Sequence, residues 1–176
     1  DYVFCNLGGR AHQLETLHVM KVISDQWSYG TRPHFHAVDF DDITRDLQAN
    51  VTPRYWQVIL KRLMLRTAER IAAERGASAI VTGDAVGQVS SQTLQNLSVI
   101  SSATALPVLR PLVSFNKEEI IQRARELGTH DLSAFGCDNL TMALGAANAL
   151  VSYARDTARV PMEHVRAKNL IQNFSG

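Results

Sequence analysis

Short apolar runs alternate along the chain with longer segments whose apolar residues recur at helical spacing. The apolar runs predict strands at residues 2–6, 34–40, 77–82 and 106–109. The helical spacing predicts helices at residues 11–27, about 53–75, about 90–101 and 117–127, and again from residue 139 onward. Strands separated by helices of this length pair in parallel through crossover helices. The predicted fold class is therefore α/β, a doubly wound parallel sheet with flanking helices.

Residues at the predicted helix ends support these boundaries. Thr52 and Pro53 place a capping hydroxyl before a proline at the first helical position. Gly76 stands where a helix commonly ends in a left-handed residue. Asn116 and Glu119 have the spacing of a capping box, in which each side chain binds the backbone amide of the other residue. These signals indicate one helix that ends at Gly76 and another that begins after Asn116.

The composition is that of a soluble globular domain. The chain has 176 residues, 45% hydrophobic and 20% charged, which excludes collagen-like and disordered chains. A balance of 18 basic against 17 acidic residues leaves a formal charge of +1, so any RNA contact must come from a local patch. The longest uncharged run, residues 139–154, is too short and too polar to span a bilayer, and the first residues lack a signal-peptide layout. The expected location is the cytoplasm, without membrane contact.

Few side chains offer a nucleophile or a set of metal ligands. The two cysteines, Cys5 and Cys137, are too few for a disulfide framework. Cys5 lies in an apolar strand and is expected to be buried and inert. Cys137 lies in a glycine-containing loop, where it is either an accessible nucleophile or a buried bystander. His34 and His36 share one strand face, but no third ligand nearby completes a set, so no metal site is predicted.

Two loops follow predicted strands at the edge where such sheets bind ligands, outside the carboxyl ends of the strands. The first, residues 6–10, contains Gly8 and Gly9, which form either a phosphate cradle or a plain tight turn. The second, residues 83–93, begins with Gly83, beside which a base or ribose can lie close to the backbone. This second loop is either a ligand site or a well-capped connection from strand to helix.

Polar side chains in the second loop are candidate ligand-binding groups. Asp84 and Gln92 carry hydrogen-bonding groups that can recognise a polar ligand. Ser90 or Ser91 can cap the next helix, whose first amides would then face the same cleft.

The basic residues of interest fall into three groups. Arg62, Arg66 and Arg70 recur every four positions and share one helix face, which is either solvated and paired with neighbouring glutamates or an RNA-facing surface. Lys61 lies at a different angle around the helix and can point toward the sheet edge. Arg110 follows the fourth predicted strand, where it meets either a phosphate or a carboxylate.

Several strings occur together in one order along the chain. They are Asn-Leu-Gly-Gly at 6–9, Ile-Leu-Lys-Arg at 59–62, Val-Thr-Gly at 81–83, Gly-Gln-Val-Ser-Ser-Gln-Thr at 87–93, Leu-Arg-Pro-Leu at 109–112 and Lys-Glu-Glu-Ile-Ile at 117–121. Over residues 2–137 this order resembles the ATP-pyrophosphatase (PP-loop) domain of the ThiI-type tRNA sulfurtransferases, the tRNA 4-thiouridine synthetases. The resemblance implies an adenine nucleotide alpha hydrolase-like domain at residues 1–137, followed by a helical extension at residues 138–176.

The resemblance also implies an ATP-dependent enzyme. Such enzymes adenylate uridine-8 of tRNA with ATP and Mg²⁺, and a cysteine persulfide then delivers sulfur to the activated carbon. The implied partners are tRNA, a cysteine desulfurase as sulfur donor and a sulfur-carrier protein of thiamine biosynthesis. Residue matching assigns nucleotide binding to Lys61, Gly83 and Gln92, and sulfur handling to Cys137. Asp84 and Ser90, in the loop between Gly83 and Gln92, are added to the predicted nucleotide site from their position and chemistry, although family members commonly have Glu where Asp84 stands.

The chain departs from this family at the phosphate loop. The string Ser-Gly-Gly-x-Asp-Ser, expected before the first predicted strand, does not occur in the sequence. Two alternatives therefore stay open: a non-catalytic relative that binds a nucleotide or a protein partner, and another PP-loop ATP-pyrophosphatase. The string at residues 87–93 argues against the second alternative.

Overall fold

The computed structural model describes residues 1–86 and 92–134 and the backbone of Val165–Arg166. Within these ranges the strands are β1 (Tyr2–Asn6), β2 (Phe35–Asp39), β3 (Ile80–Val81), β4 (Val108–Leu109) and β5 (Val165–Arg166). The helices are α1 (Gly9–Trp27), α2 (Asp41–Asn50), α3 (Trp56–Arg75), α4 (Leu94–Ser101), α5 (Lys117–Glu126) and α6 (His130–Ala134), with a 3-10 turn at Pro53–Tyr55. The four predicted strands are all present, although β3 and β4 are shorter than predicted.

The first sheet has the order β1-β2-β5, and both strand pairs are parallel. On one face, Phe4 and Phe35 pack against Met20 of α1. On the other face, Cys5 and Val38 pack against helices α2 and α3. Helices cover both faces, so the first four residues of β2 are all buried rather than alternating.

The second sheet pairs β3 with β4, again in parallel, with Ile80 opposite Val108. Ile80 packs with Leu65 of α3 and Ile100 of α4. Helix α3 therefore supports both sheets, and a cavity of about 250 Å³ lies over it between β1 and β3. The prediction of an α/β fold with parallel strands and flanking helices is confirmed, although the described strands form two sheets.

Several features of the chain differ from the predicted elements. Helix α6 was not predicted, and the helix predicted from Pro53 begins at Trp56, after a 3-10 turn that Thr52 does not cap with its side chain. Helix α2 was not predicted, since only Ile43 and Leu47 of its ten residues are buried. Helix α4 was predicted to begin near Ser90, but it begins at Leu94, because the Thr93 hydroxyl caps it by accepting from the Asn96 amide at 3.2 Å. The two residues of β5 form a strand in a segment predicted to be helical. The rest of residues 138–176 lies outside the described residues, so the helical extension stays a prediction.

The predicted helix ends are confirmed at two places. Gly76 has φ +67°, and its amide binds the Ala72 carbonyl. The capping box is complete: the Glu119 amide donates to Asn116 Oδ1 at 2.9 Å, and the Asn116 amide donates to Glu119 Oε2 at 2.7 Å. In the described part of the chain, no helix combines the length and the apolarity that crossing a membrane requires.

Candidate functional site

The segments that follow β3 and β4 leave the second sheet at the same edge. Val81 lies opposite Leu109 in the parallel register, and the Thr82 amide donates to the Leu109 carbonyl at 2.9 Å. Beyond these residues, β3 continues into Asp84 and β4 into Arg110. Helix α3 lies beside them and contributes a lysine, so three separate segments meet at this edge, and the last residue of α4 adds a serine.

A single carboxylate joins these segments. Lys61 Nζ donates to Asp84 Oδ1 at 2.7 Å, and Thr82 Oγ1 donates to Asp84 Oδ2 at 2.8 Å. Arg110 Nε also donates to Asp84 Oδ2, at 3.3 Å, and its Nη2 donates to the Ser101 hydroxyl at 3.0 Å. We call Lys61, Thr82, Asp84, Ser101 and Arg110 the Asp84 cluster.

The Asp84 cluster is largely closed to solvent. The Asp84 and Lys61 side chains are 4% and 9% exposed, and that of Arg110 is 13% exposed. Burial acts to raise the pKa of Asp84, but the charge and hydrogen bond of Lys61, the Thr82 hydroxyl and the charge of Arg110 outweigh it and lower that pKa. Asp84 is therefore ionised at neutral pH, and two cations share its one negative charge.

The prediction that Lys61 points away from the arginine stripe agrees with this geometry. Arg62 donates to the Val99 carbonyl and to the Ser102 hydroxyl, and so braces α3 against the end of α4. Arg70 forms a loose, half-exposed ion pair with Glu74, 3.8 Å apart. The stripe is thus engaged in contacts within the fold, whereas Lys61 turns inward to Asp84.

The other predicted nucleotide-binding residues are placed less completely. Gly83 is buried between Thr82 and Asp84. Gln92 is 3% exposed, and its Oε1 has no hydrogen-bond partner among the residues that the structure describes. Ser90 and Cys137 lie outside the described residues.

The structure gives the protein partners of two polar groups whose roles were predicted. Both carboxylate oxygens of Asp84 accept hydrogen bonds from the protein, and its assignment to nucleotide binding stays a prediction. For Arg110 the sequence left two partners open, a phosphate or a carboxylate, and in the structure it binds the Asp84 carboxylate. Thr82 and Ser101 were not predicted. The only signal for Thr82 was its position at the end of a strand, two residues before an aspartate.

The geometry of Gly8 and Gly9 agrees with a plain turn. The Gly8 amide donates to Asn6 Oδ1 at 3.3 Å. A Cβ atom on Gly8 would stand 2.9 Å from the His12 side chain, and Gly9 has φ +72°. Steric and backbone requirements therefore explain both glycines without a phosphate.

The two histidines form a second polar group, at the amino ends of β1 and β2. His36 Nε2 lies 3.0 Å from Asp1 Oδ1, and His34 Nδ1 lies 3.4 Å from the same atom. Arg75 Nε donates to it at 3.2 Å. We call these four residues the Asp1 cluster. No group of three or more metal-ligating side chains occurs in the part of the chain that the structure covers.

Cys5 is 3% exposed and belongs to the core beside α3. Burial raises the pKa of its thiol well above the ordinary value, so the reactive thiolate is not formed near neutral pH. The prediction that Cys5 is buried is confirmed.

Comparison with known proteins gives one consistent family. The sequence model described as "Thiamine biosynthesis protein (ThiI)" matches residues 1–148. A tRNA sulfurtransferase of Pectobacterium carotovorum subsp. carotovorum is 45% identical over 132 residues, which are 75% of this chain and 27% of that protein. A tRNA sulfurtransferase of Proteus mirabilis is 43% identical over the same shares of both proteins. The chain thus spans about a quarter of the length of these relatives.

The fold agrees with this relationship. A crystal structure of a 4-thiouridine synthetase in complex with RNA and bound ATP is similar with a TM-score of 0.72 and 32% identity, over 86% of this chain and 40% of that one. The matched family model, these relatives and this solved structure lead to the same conclusion: the chain belongs to the ThiI family.

Proposed function

We propose that this chain is the ATP-binding part of a tRNA sulfurtransferase that makes 4-thiouridine. In this proposal it activates uridine-8 of tRNA by adenylation, and sulfur then replaces the oxygen. Support comes from the family, from relatives named tRNA sulfurtransferase, and from the similar structure with RNA and ATP. The single observation that carries the proposal is the buried pair of cations at the carboxyl ends of β3 and β4, where Lys61 and Arg110 share one carboxylate.

The residues suit the adenylation step. The uracil oxygen attacks the α-phosphorus of ATP, the bond to pyrophosphate breaks, and the oxygen becomes part of a good leaving group. Negative charge that moves onto the pyrophosphate is stabilised by a fixed cation in a site with little water, which is the role that we assign to Lys61.

Two further residues suit the rest of the nucleotide. Gly83 lets the base or ribose lie against bare backbone. Gln92 Oε1, buried and without a protein partner in the described ranges, suits an N–H donor of the ligand. In this proposal Asp84 holds Lys61 in place rather than binding the nucleotide. Ser90, in the same loop, remains assigned to nucleotide binding.

The residues that the structure describes at this edge do not form a magnesium site of their own. Oxygen ligands are what Mg²⁺ requires, and Asp84, the carboxylate at this edge, is already shared by Lys61, Thr82 and Arg110. In our proposal Mg²⁺ arrives on the phosphate oxygens of ATP, and no step is assigned to a protein-bound ion.

The sulfur chemistry and its partners are also part of the proposal. Cys137 is assigned as the cysteine that carries the persulfide, whose outer sulfur attacks the activated carbon while AMP leaves. This forms a disulfide between the base and Cys137. An external thiol then attacks Cys137 Sγ and breaks the S–S bond, so that the sulfur stays on the base as 4-thiouridine. A cysteine desulfurase supplies that sulfur. The description of the family model supports a further role in thiamine biosynthesis, with a sulfur-carrier protein as the partner.

The test supplies the chain with ATP, Mg²⁺, unmodified tRNA, cysteine and a cysteine desulfurase. We expect ATP binding by calorimetry, AMP release, and 4-thiouridine in the digested tRNA by mass spectrometry. Lys61→Ala is expected to weaken ATP binding at least tenfold, and the matched control Arg70→Ala on the exposed stripe is expected to leave it unchanged. ATP binding without AMP release would identify a non-catalytic nucleotide-binding relative instead, and an effect of Arg70→Ala alone would indicate an RNA-facing stripe.

A further inference from the structure

Arg110 is held by two partners on different elements. Its Nε donates to Asp84 Oδ2 at 3.3 Å, and its Nη2 donates to the Ser101 hydroxyl at 3.0 Å. Ser101 is fixed in turn, because its hydroxyl donates to the Leu97 carbonyl at 2.7 Å. The guanidinium is therefore held at a defined place at the carboxyl end of β4, rather than extending freely into solvent.

Most N–H donors of the Arg110 guanidinium have no acceptor among the described residues. An arginine carries five N–H donors, and within the described residues only two of those of Arg110 have acceptors. Lys61 makes the shorter contact with Asp84: its Nζ lies 2.7 Å from Oδ1, whereas Nε of Arg110 lies 3.3 Å from Oδ2. The one negative charge of Asp84 is shared by two cations, so Lys61 and Arg110 together keep a net positive charge, and Arg110 has the longer of the two contacts.

The Arg110 side chain is only 13% exposed, and a cation with so little contact with water is energetically unfavourable unless an anion balances its charge. The fork of an arginine matches a phosphate group in geometry as well as in charge. We propose that Arg110 binds the phosphates of the nucleotide beside Lys61, positioned by Asp84 and Ser101. This inference rests on the proposed ATP site, and it assigns to that site a residue that residue matching did not.

The test compares three ligands on the whole chain by calorimetry: ATP, inorganic pyrophosphate and adenosine. Charge-assisted hydrogen bonds are among the strong ones, so Arg110→Ala should weaken ATP and pyrophosphate binding by roughly tenfold to a hundredfold. Adenosine carries no phosphate, and its affinity should stay within about twofold. Arg62→Ala is the matched control, since Arg62 also binds a hydroxyl near the end of α4 but has no carboxylate partner among the residues that the structure describes.

A conservative variant separates phosphate binding from bracing of the fold. Arg110→Lys retains the charge but loses the fork, so it should restore part of the pyrophosphate affinity and its dependence on salt. Thermal unfolding of each variant without ligand reports any structural loss. If Arg110→Ala does not fold, Arg110→Lys and Ser101→Ala carry the test, and each should weaken pyrophosphate binding more than Arg62→Ala does.

Each outcome has a distinct meaning. Unchanged ATP and pyrophosphate affinity in Arg110→Ala overturns this inference and leaves the proposed function standing. Pyrophosphate binding that depends on Arg110, without any binding of ATP or adenosine, overturns the ATP site and with it the assignment of Arg110 to the phosphates of a nucleotide. A wild-type chain that binds none of the three ligands overturns both, and equal losses for all three in Arg110→Ala assign Arg110 to the fold alone.

Discussion

Two carboxylates, at opposite ends of α3, each gather basic side chains, and they differ in burial. Asp84 binds Lys61 and Arg110 with its side chain 4% exposed, whereas Asp1 meets His34, His36 and Arg75 at 31% exposure. Lys61 and Arg75 are separated by about 21 Å along the helix. Water can replace a lost partner in the Asp1 cluster but not in the Asp84 cluster, so the same kind of charge sharing has different consequences at the two ends.

The largest expected effect comes from removing each carboxylate. Asp84→Ala leaves two largely buried cations without their anion and should lower the free energy of unfolding by about 3–5 kcal/mol. Asp1→Ala removes a partly exposed partner and should lower it by about 1 kcal/mol or less. Denaturant unfolding of both variants measures the difference. Equal losses in the two variants would show that burial does not govern these clusters.

ATP binding should stabilise the protein through the Asp84 cluster and not through the Asp1 cluster. At an ATP concentration of 100 times its dissociation constant, the proposed site would raise the free energy of unfolding by about 2.7 kcal/mol. A tenfold weaker site, as expected for Lys61→Ala, would gain only about 1.4 kcal/mol at the same concentration. Arg75→Ala at the other end should keep the full gain. Thermal shifts with and without ATP provide the measurement, and equal gains in all three proteins would place the nucleotide away from the Asp84 cluster.

Acid should affect the Asp84 cluster in a defined direction. Because the pKa of Asp84 is lower in the folded chain, the unfolded chain binds more protons and stability rises with pH in this range. The contribution of Asp84 is therefore complete above the ordinary aspartate pKa of about 3.9 and is lost as the pH falls through its lower folded value. Asp84→Asn should flatten this part of the stability curve relative to the wild type. An unchanged slope between about pH 4 and pH 2 in the variant would contradict the assigned cause.

The sequence predicted local features of the fold better than contacts between distant residues. The capping box at Asn116 and the left-handed end at Gly76 depend on a few adjacent residues, and both are confirmed. Helix α2 was missed because its two buried positions, Ile43 and Leu47, stand in an otherwise polar segment. The start of α4 was misplaced because several hydroxyl residues in succession can each act as a cap, and the chain uses Thr93.

The candidate site shows the same limit. Helical spacing alone separated Lys61 from the arginine stripe, which agrees with its inward position. Its partner Asp84 is 23 residues away, and that contact depends on how β3 packs against α3. Sequence spacing does not encode this packing, so the contact between Lys61 and Asp84 was not predicted. The strings at residues 59–62 and 81–83 indicated the family through their order, without indicating which side chains touch.

The smallest expected effect is that of an arginine in the exposed cluster. Arg75 is 32% exposed, and its guanidinium contacts Asp1 at 3.2 Å and His34 Nδ1 at 2.7 Å. Because water solvates both partners when the guanidinium is removed, Arg75→Gln should lower the free energy of unfolding by about 0.2–1 kcal/mol, and by less at high salt. Arg110→Gln is the buried counterpart and should have a larger effect that salt hardly changes. Denaturant unfolding at low and high salt tests the pair, and a salt-insensitive loss of several kcal/mol for Arg75→Gln would mean that the Asp1 cluster also behaves as a buried network.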